Sequence, residues 1–92
     1  MNCIKFIIYG KVQKVFFRKY LSNNLTKAGF RGFVKNLDNG SVELIIKKEQ
    51  NLNISDILKI INEGSPKSCV ESIEMHECHD NLDFGIGVNV KY

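Results

Sequence analysis

The chain has 92 residues, and its charged and hydrophobic shares of 25% and 43% are ordinary for a folded soluble protein. This length leaves no room for a second hydrophobic core, so we expect one domain over residues 1–92. The net charge of +3 favours small anions as ligands and is too mild to indicate a nucleic-acid partner. The apolar run at residues 4–9 is too short for a signal peptide or a membrane span, which indicates a cytoplasmic protein with no membrane partner.

The first half of the chain alternates between strand and helix patterns. Residues 4–9 alternate as a strand does, and apolar residues at helical spacing run over residues 17–28, after which Gly29 can end the helix. Short alternation returns over residues 30–37 and 42–46. The Asn-Gly pair between these two segments is typical of a tight hairpin turn.

The second half predicts one more helix and two more strands. Asn53 is placed to cap a helix that Gly64 ends, and Pro66 prevents its continuation. Strand patterns follow over residues 69–78 and 84–90.

The resulting order, β-α-β-β-α-β with an extra C-terminal strand, predicts the α+β fold called the ferredoxin-like split βαβ sandwich. We expect an antiparallel sheet with two helices on one face. Gly85 and Gly87 would weaken the last strand, so we expect a bulge or a close backbone contact there.

The three cysteines, Cys3, Cys69 and Cys78, are an odd number, so we expect reduced thiols rather than a disulfide framework. We also expect no metal ion and no cofactor, because no Asp/Glu cluster is typical of a magnesium site. A metal site could also be considered at His76, Cys78, His79 and Asp80, but their spacing matches no common zinc pattern, and the two histidine rings would point to opposite faces of a strand.

The segment from Tyr9 to Arg18 has the features of a small-phosphate site. A strand, a loop that begins with Gly10 and a helix N-terminus together gather backbone N–H groups around an anion. No proline interrupts residues 10–18, so every residue there keeps its backbone donor. Arg18 adds a planar, permanently charged group that matches two phosphate oxygens.

Two blocks of the sequence resemble the acylphosphatase family from about Ile4 to Ile86. Residues 10–18 resemble the first signature of that family, and residues 32–42 resemble the second. The segments 28–32 and 64–68 are also similar. The quoted blocks are Gly10-Lys11-Val12-Gln13-x-Val15-x-Phe17-Arg18 and Gly32-Phe33-Val34-Lys35-Asn36-Leu37-Asp38-Asn39-Gly40-Ser41-Val42.

The resemblance implies metal-free hydrolysis of small acyl phosphates to a carboxylate and inorganic phosphate. It makes Arg18 the catalytic residue that holds the phosphoryl group and Asn36 the catalytic residue that orients the attacking water. Taken alone, these would be a surface arginine and a turn asparagine. The implied phosphate-binding loop contains Gln13, Lys14, Val15, Phe16, Phe17 and Arg18, and Ser41 is allowed a supporting hydrogen bond.

The first signature contains no Cys, Ser, His or Asp nucleophile, which argues against a phosphoenzyme intermediate. An amide such as that of Asn36 can accept a hydrogen bond but is not a strong base. The basicity would therefore come from an oxygen of the substrate phosphate. The carboxylate is a good leaving group, so no protein acid is required.

Lys14 stands where the acylphosphatases usually have glycine. If that position needs the left-handed backbone conformation, a lysine costs about 1–2 kcal/mol there. Its ammonium group could instead add a contact to the phosphate. This departure leaves open a weakly active acylphosphatase-like domain that binds carbamoyl phosphate or another phosphate compound.

An RNA-binding module of the RRM type is the other alternative, because it shares the β-α-β-β-α-β order. Residues 31–34, Arg-Gly-Phe-Val, echo part of its aromatic signature. They lie on the second predicted strand, however, whereas that signature belongs on the third. A monomer is the default expectation at this chain length.

Overall fold

The computed structural model describes residues 2–50, 52–79 and 83–92. Five strands form one sheet in the order β4-β1-β3-β2-β5, and two helices connect them. The elements are β1 Cys3–Lys11, α1 Phe17–Lys27, β2 Gly32–Asn36, β3 Val42–Lys47, α2 Ile54–Glu63, β4 Cys69–Cys78 and β5 Val88–Lys91. None of the helices in these residues is long and apolar enough to cross a membrane.

The predicted α+β ferredoxin-like arrangement is confirmed, with one change in the sheet. Strand β1 pairs antiparallel with β3 and β4, and β2 pairs antiparallel with β3. Strand β5, however, runs parallel to β2. The sheet is therefore mixed rather than wholly antiparallel, and its parallel pair carries the C-terminal end of β5 towards the end of β2.

The core lies between one face of the sheet and the two helices. Alternate residues of each strand point to the same face, so a single face can bury every second apolar side chain. The fully buried side chains of the strands and helices include Phe6, Ile8, Val34, Leu44, Phe17, Leu21, Leu25, Ile57 and Ile61. This packing fixes α1, and with it the loop before α1, against the sheet.

The two helices are also joined by a hydrogen bond. The Tyr20 hydroxyl on α1 donates to the carbonyl oxygen of Ile60 on α2 over 2.7 Å. Burial, with a smaller contribution from the charge of Glu63, raises the pKa of Tyr20 above its ordinary value. The hydroxyl therefore keeps its proton and stays a donor.

The last strand is shorter than the sequence pattern predicts, because residues 84–87 are not part of it. Gly87 has φ +71°, a left-handed conformation that interrupts an extended strand, and a Cβ there would meet the side chain of Thr26 at 2.8 Å. Glycine therefore permits a close contact with α1, as expected. Nothing in the structure explains Gly85.

The prediction that all three thiols are reduced is wrong for two of them. Cys3 and Cys78 are directly opposite each other in the β1–β4 pairing, with their Cα atoms 5.1 Å apart, and they form a disulfide. The two residues are 75 positions apart in sequence, so only the strand pairing reveals them as neighbours. Cys69 is free and exposed.

Candidate active site

The loop between β1 and α1 presents a row of backbone donors without partners. Among the residues that the structure describes, no backbone N–H of residues 13–18 donates to a backbone carbonyl. The first regular helical contact is that of the Tyr20 N–H with the Phe16 carbonyl, at 3.0 Å. Free N–H groups at a helix N-terminus carry partial positive charge and bind anions. The loop can therefore surround an anion, as the sequence predicts.

Arg18 lies in the first turn of α1, and two contacts from the end of the chain restrain it. Its Nη1 donates to the carbonyl oxygen of Lys91 over 3.1 Å, and its guanidinium carbon lies 4.9 Å from the centre of the Tyr92 ring. Both partners are brought there by the parallel pairing of β5 with β2. The remaining guanidinium N–H groups have no partner in the part of the chain that the structure describes, so they can bind a ligand.

Asn36 is the last residue of β2 and lines the same cavity as Arg18. Its Oδ1 atom is buried and has no hydrogen-bond partner among the described residues. A buried polar atom without a partner costs about 1–3 kcal/mol, so such atoms are uncommon outside functional sites. The carboxamide can therefore take part in binding a polar ligand such as water.

The side chain of Gln13 ties the loop to the hairpin that follows Asn36. Its Nε2 donates to the carbonyl oxygens of Leu37 and Ser41, each over 2.8 Å. Ser41 is itself almost fully buried, and its hydroxyl donates to Asn39. Gln13 therefore fixes the distance between the loop and the end of β2, while its own backbone N–H stays free.

A second hydrogen bond that fixes the loop comes from the turn after α2. The hydroxyl of Ser65 is buried and donates to the carbonyl oxygen of Val15 over 2.8 Å. This bond holds the peptide between Val15 and Phe16 with its carbonyl turned towards Ser65. Because the C=O and N–H of one peptide point in opposite directions, the N–H of Phe16 is turned away from Ser65.

These elements enclose an open cavity of about 490 Å³. Its polar side chains are cationic or neutral, and no carboxylate side chain is among its described lining residues. The lining residues are Val12, Lys14, Phe16, Phe17, Arg18, Lys19, Asn36, Val90 and Tyr92. The cavity is thus electrostatically suited to a small anion.

Comparison with known proteins gives the family. The acylphosphatase family model matches residues 4–86. The chain belongs to the acylphosphatase family. It is 30% identical to the acylphosphatase of Dehalococcoides mccartyi strain 195, with all of both chains covered. It is 39% identical to that of Bacillus pumilus over 77% of this chain and 78% of the relative.

The solved structures agree with this assignment. The crystal structure of the Bacillus subtilis acylphosphatase superimposes with a TM-score of 0.83 over all of both chains, at 29% identity. The acylphosphatase structure from Coxiella burnetii gives a TM-score of 0.80 at 30% identity, covering 98% of this chain and 92% of the other. The chain is therefore an acylphosphatase enzyme with the fold of its family.

Two residues of the enzyme's loop have left-handed backbones without being glycine. Lys14 has φ 61° and Phe16 has φ 59°. Lys14, which stands where the family usually has glycine, therefore does adopt the left-handed conformation considered in the sequence analysis. A non-glycine residue in this region costs about 1–2 kcal/mol. The Lys14 side chain nevertheless lines the cavity, so it is also placed near an anion.

The histidine-rich segment lies away from this cavity. His76 is on β4, where its ring contacts Glu74 at 3.2 Å, and both side chains are more than half exposed. Cys78 is bonded to Cys3. Asp80 lies outside the described residues, and no three His, Cys, Asp or Glu side chains within residues 2–50, 52–79 and 83–92 are close enough to hold a metal ion.

Most of the site residues predicted from the sequence line this cavity, namely Lys14, Phe16, Phe17, Arg18 and Asn36, whereas Gln13, Val15 and Ser41 do not line it. Three groups that hold the loop and Arg18 in place were not identified from the sequence. They are the hydroxyl of Ser65, the carbonyl of Lys91 and the ring of Tyr92. The segment 64–68 was recognised as similar to the family, yet nothing in the sequence connected it to Val15, which is 50 residues away. Those three contacts depend on tertiary packing alone.

Proposed function

We propose that this enzyme hydrolyses the carboxyl-phosphate bond without a metal ion, using Arg18, Asn36 and the backbone of residues 13–18. The observation that carries the proposal is the row of unpartnered N–H groups beside Arg18, in one cavity with Asn36. Arg18 and the loop would hold the three terminal phosphate oxygens. Their charges stabilise the negative charge that spreads over those oxygens in the transition state.

The reaction is a direct attack of water on phosphorus. The water oxygen forms a bond to phosphorus while the bond between phosphorus and the acyl oxygen breaks. The electron pair of that bond leaves with the acyl group as a carboxylate, and the proton of the water passes to a phosphate oxygen. The products are a carboxylate and inorganic phosphate, so neither a protein base nor a protein acid is needed.

Asn36 would orient the water. Its buried Oδ1 lacks a partner among the described residues, and a water molecule can donate to it. Fixing the direction of the water's lone pair towards phosphorus lowers the entropic part of the barrier. Gln13 supports this role, because its two hydrogen bonds hold the end of β2 against the loop.

We further propose that residues 1–92 act as a single monomeric domain that needs no nucleic acid. No observation favours the RNA-binding alternative. Phe33, the aromatic residue that suggested it, is stacked on Phe84 at 5.4 Å and lies under the Lys91 ammonium at 4.6 Å. A cytoplasmic location stays a prediction. A reducing compartment would keep both thiols free, so a Cys3–Cys78 disulfide in the protein isolated from its cell would contradict this location.

The reaction is tested by phosphate release from acetyl phosphate, measured with and without EDTA, and the role of Asn36 by the Asn36→Ala variant. We expect EDTA to have no effect on the wild-type rate. We expect Asn36→Ala to lower kcat by about 10²-fold, since only the water loses its orientation. Inhibition by inorganic phosphate should stay near the wild-type value.

The matched control is Asn62→Ala, which removes another carboxamide from an exposed position on α2. It should leave kcat and phosphate inhibition unchanged. If Asn36→Ala weakens phosphate inhibition as much as it lowers kcat, Asn36 binds the phosphate and does not orient the water.

A further inference from the structure

The cavity contains an aromatic ring that phosphate binding does not use. Phe16 is 82% exposed, although it lines the cavity together with Arg18. Its backbone is left-handed, which is rare for a bulky residue. Exposure of a large apolar side chain and backbone strain are each unfavourable, and their coincidence at one residue of a site indicates a function.

The neighbouring aromatic residues have other partners. Phe17 is buried in the core and stacks on Tyr20, and one face of the Tyr92 ring is covered by Arg18. The Phe16 ring stacks on no other ring and lies under no cation in the part of the chain that the structure describes. The side chain of Phe17 is buried, whereas the Phe16 ring is exposed. It is therefore the ring that can contact a ligand.

We propose that the Phe16 ring binds the acyl group and gives the enzyme a preference for acyl phosphates with an aromatic acyl group. This inference rests on the function proposed above. Phe16 contributes one N–H to the loop that would hold the phosphate, so its ring lies within one side-chain length of that phosphate. The phenyl group of benzoyl phosphate is joined to the bridging oxygen through a single carbonyl carbon, and it therefore extends only a short distance from the phosphate. An aromatic acyl group can stack on the ring, and a methyl group cannot.

The experiment compares kcat/KM for benzoyl phosphate with kcat/KM for acetyl phosphate. Phe16→Ala removes the ring but keeps a Cβ, and with it the strained backbone. We expect the ratio of kcat/KM for benzoyl phosphate to kcat/KM for acetyl phosphate to fall about tenfold in this variant and to be retained in Phe16→Tyr. Because a disturbed loop would affect both substrates equally, the ratio reports the acyl contact and not the phosphate contact.

The matched control is Ile86→Ala, since Ile86 is an equally exposed apolar residue, at 89%, that does not line the cavity. The ratio of the two kcat/KM values in Ile86→Ala should equal that of the wild type. An unchanged ratio in active Phe16→Ala would overturn the acyl contact and leave the proposed reaction standing. If the wild type releases phosphate from neither substrate, the reaction itself is wrong.

A binding measurement tests the acyl contact independently of turnover. Phenacylphosphonate and acetonylphosphonate are non-hydrolysable analogues that differ only in a phenyl against a methyl group. By calorimetry, we expect the wild type to bind the phenyl compound about tenfold more tightly and Phe16→Ala to lose this difference. Equal affinities of the wild type for the two compounds would overturn the proposal.

Discussion

The N-termini of the two helices are built in opposite ways. Helix α2 begins with a conventional cap, in which Asn53 Oδ1 accepts a hydrogen bond from the Ser55 N–H over 2.9 Å, and Asp56 supplies an acidic residue in the first turn. The N-cap residue of helix α1 is Phe16, which makes no side-chain hydrogen bond to cap the helix, and the first turn of α1 has no acidic residue. It contains the cation Arg18 instead.

This difference shows which helix end serves structure and which serves binding. A cap and an acidic residue stabilise a helix N-terminus, by about 1 kcal/mol for the cap and 0.3–1 kcal/mol for the charge. A cation at the same place is unfavourable, because it is close to the positive end of the helix dipole. An anion bound at the N-terminus of α1 would offset this unfavourable interaction. Helix α1 thus lacks the local stabilisation that α2 has, and its donors remain available.

The largest effect is expected from removing the cation of α1. Arg18→Ala should lower kcat/KM by about 10²–10³-fold and weaken phosphate inhibition, because a charge-assisted bidentate contact is lost. Arg18→Lys should restore little, since a single ammonium does not match two phosphate oxygens. Thermal unfolding should be almost unchanged, because the substitution also removes a cation from the helix N-terminus.

Arg31→Ala is the matched control for charge. Arg31 is half exposed and forms a 3.7 Å ion pair with Glu49, outside the residues that line the cavity. We expect wild-type activity from it. More than a tenth of wild-type activity in Arg18→Ala would contradict the proposed phosphate site.

A smaller effect is expected where the loop is tied to the end of α2. Ser65→Ala leaves the Val15 carbonyl without its partner, which should lower stability by about 1–2 kcal/mol. It should also weaken phosphate inhibition and lower kcat/KM by about tenfold, because the orientation of the Phe16 N–H is no longer fixed.

Ser68→Ala separates these two effects. Ser68 donates to the Ser65 carbonyl over 2.9 Å in the same turn and makes no hydrogen bond to the loop among the described residues. We expect it to lower stability without changing phosphate inhibition. If Ser65→Ala loses stability and keeps wild-type kinetics, the Ser65 hydroxyl holds the turn and does not position the loop.

The contrast between Arg18 and Ser65 also shows what the sequence can predict. Arg18 and Asn36 lie in continuous signatures, so the family resemblance named them directly as candidate site residues, and both line one cavity. The contacts of Ser65, and the disulfide between Cys3 and Cys78, join residues 50 and 75 positions apart and depend on how strands and turns pack. The alternation of apolar residues predicted most elements, but it placed the last strand too early, because a left-handed Gly87 cannot be recognised from periodicity.

Two substitutions of Lys14 test whether the backbone strain in the loop or the charge of the lysine matters for phosphate binding. Lys14→Gly should raise stability by about 0.5–1 kcal/mol, since glycine adopts φ 61° without strain but loses more entropy on folding. Lys14→Gln keeps the strain and removes only the charge. If the strain is the main effect, Gly should raise the melting temperature by a few degrees and Gln should not.

Phosphate affinity, measured as inhibition, separates the role of the charge. An ammonium that contacts the phosphate predicts a loss of about two- to fivefold in both variants, at the level of an exposed charge pair. Equal phosphate affinities for wild type, Gly and Gln would show that the Lys14 charge does not bind the phosphate. A fall in affinity with an unchanged melting temperature in Lys14→Gly would show that strain is the minor effect.

The smallest effect on activity is expected at the capped helix. Asn53→Ala removes the acceptor for the Ser55 N–H and should destabilise the protein by about 1 kcal/mol, measured by urea unfolding. Its kcat, KM and phosphate inhibition should remain at wild-type values, because the cap lies at the N-terminus of α2 and the cavity at that of α1. Asn53→Asp should restore the lost stability, since aspartate is an equally good cap and adds a favourable charge. A kinetic change in Asn53→Ala would mean that the ends of the two helices are coupled, and the separation of structural and binding roles between them would then be wrong.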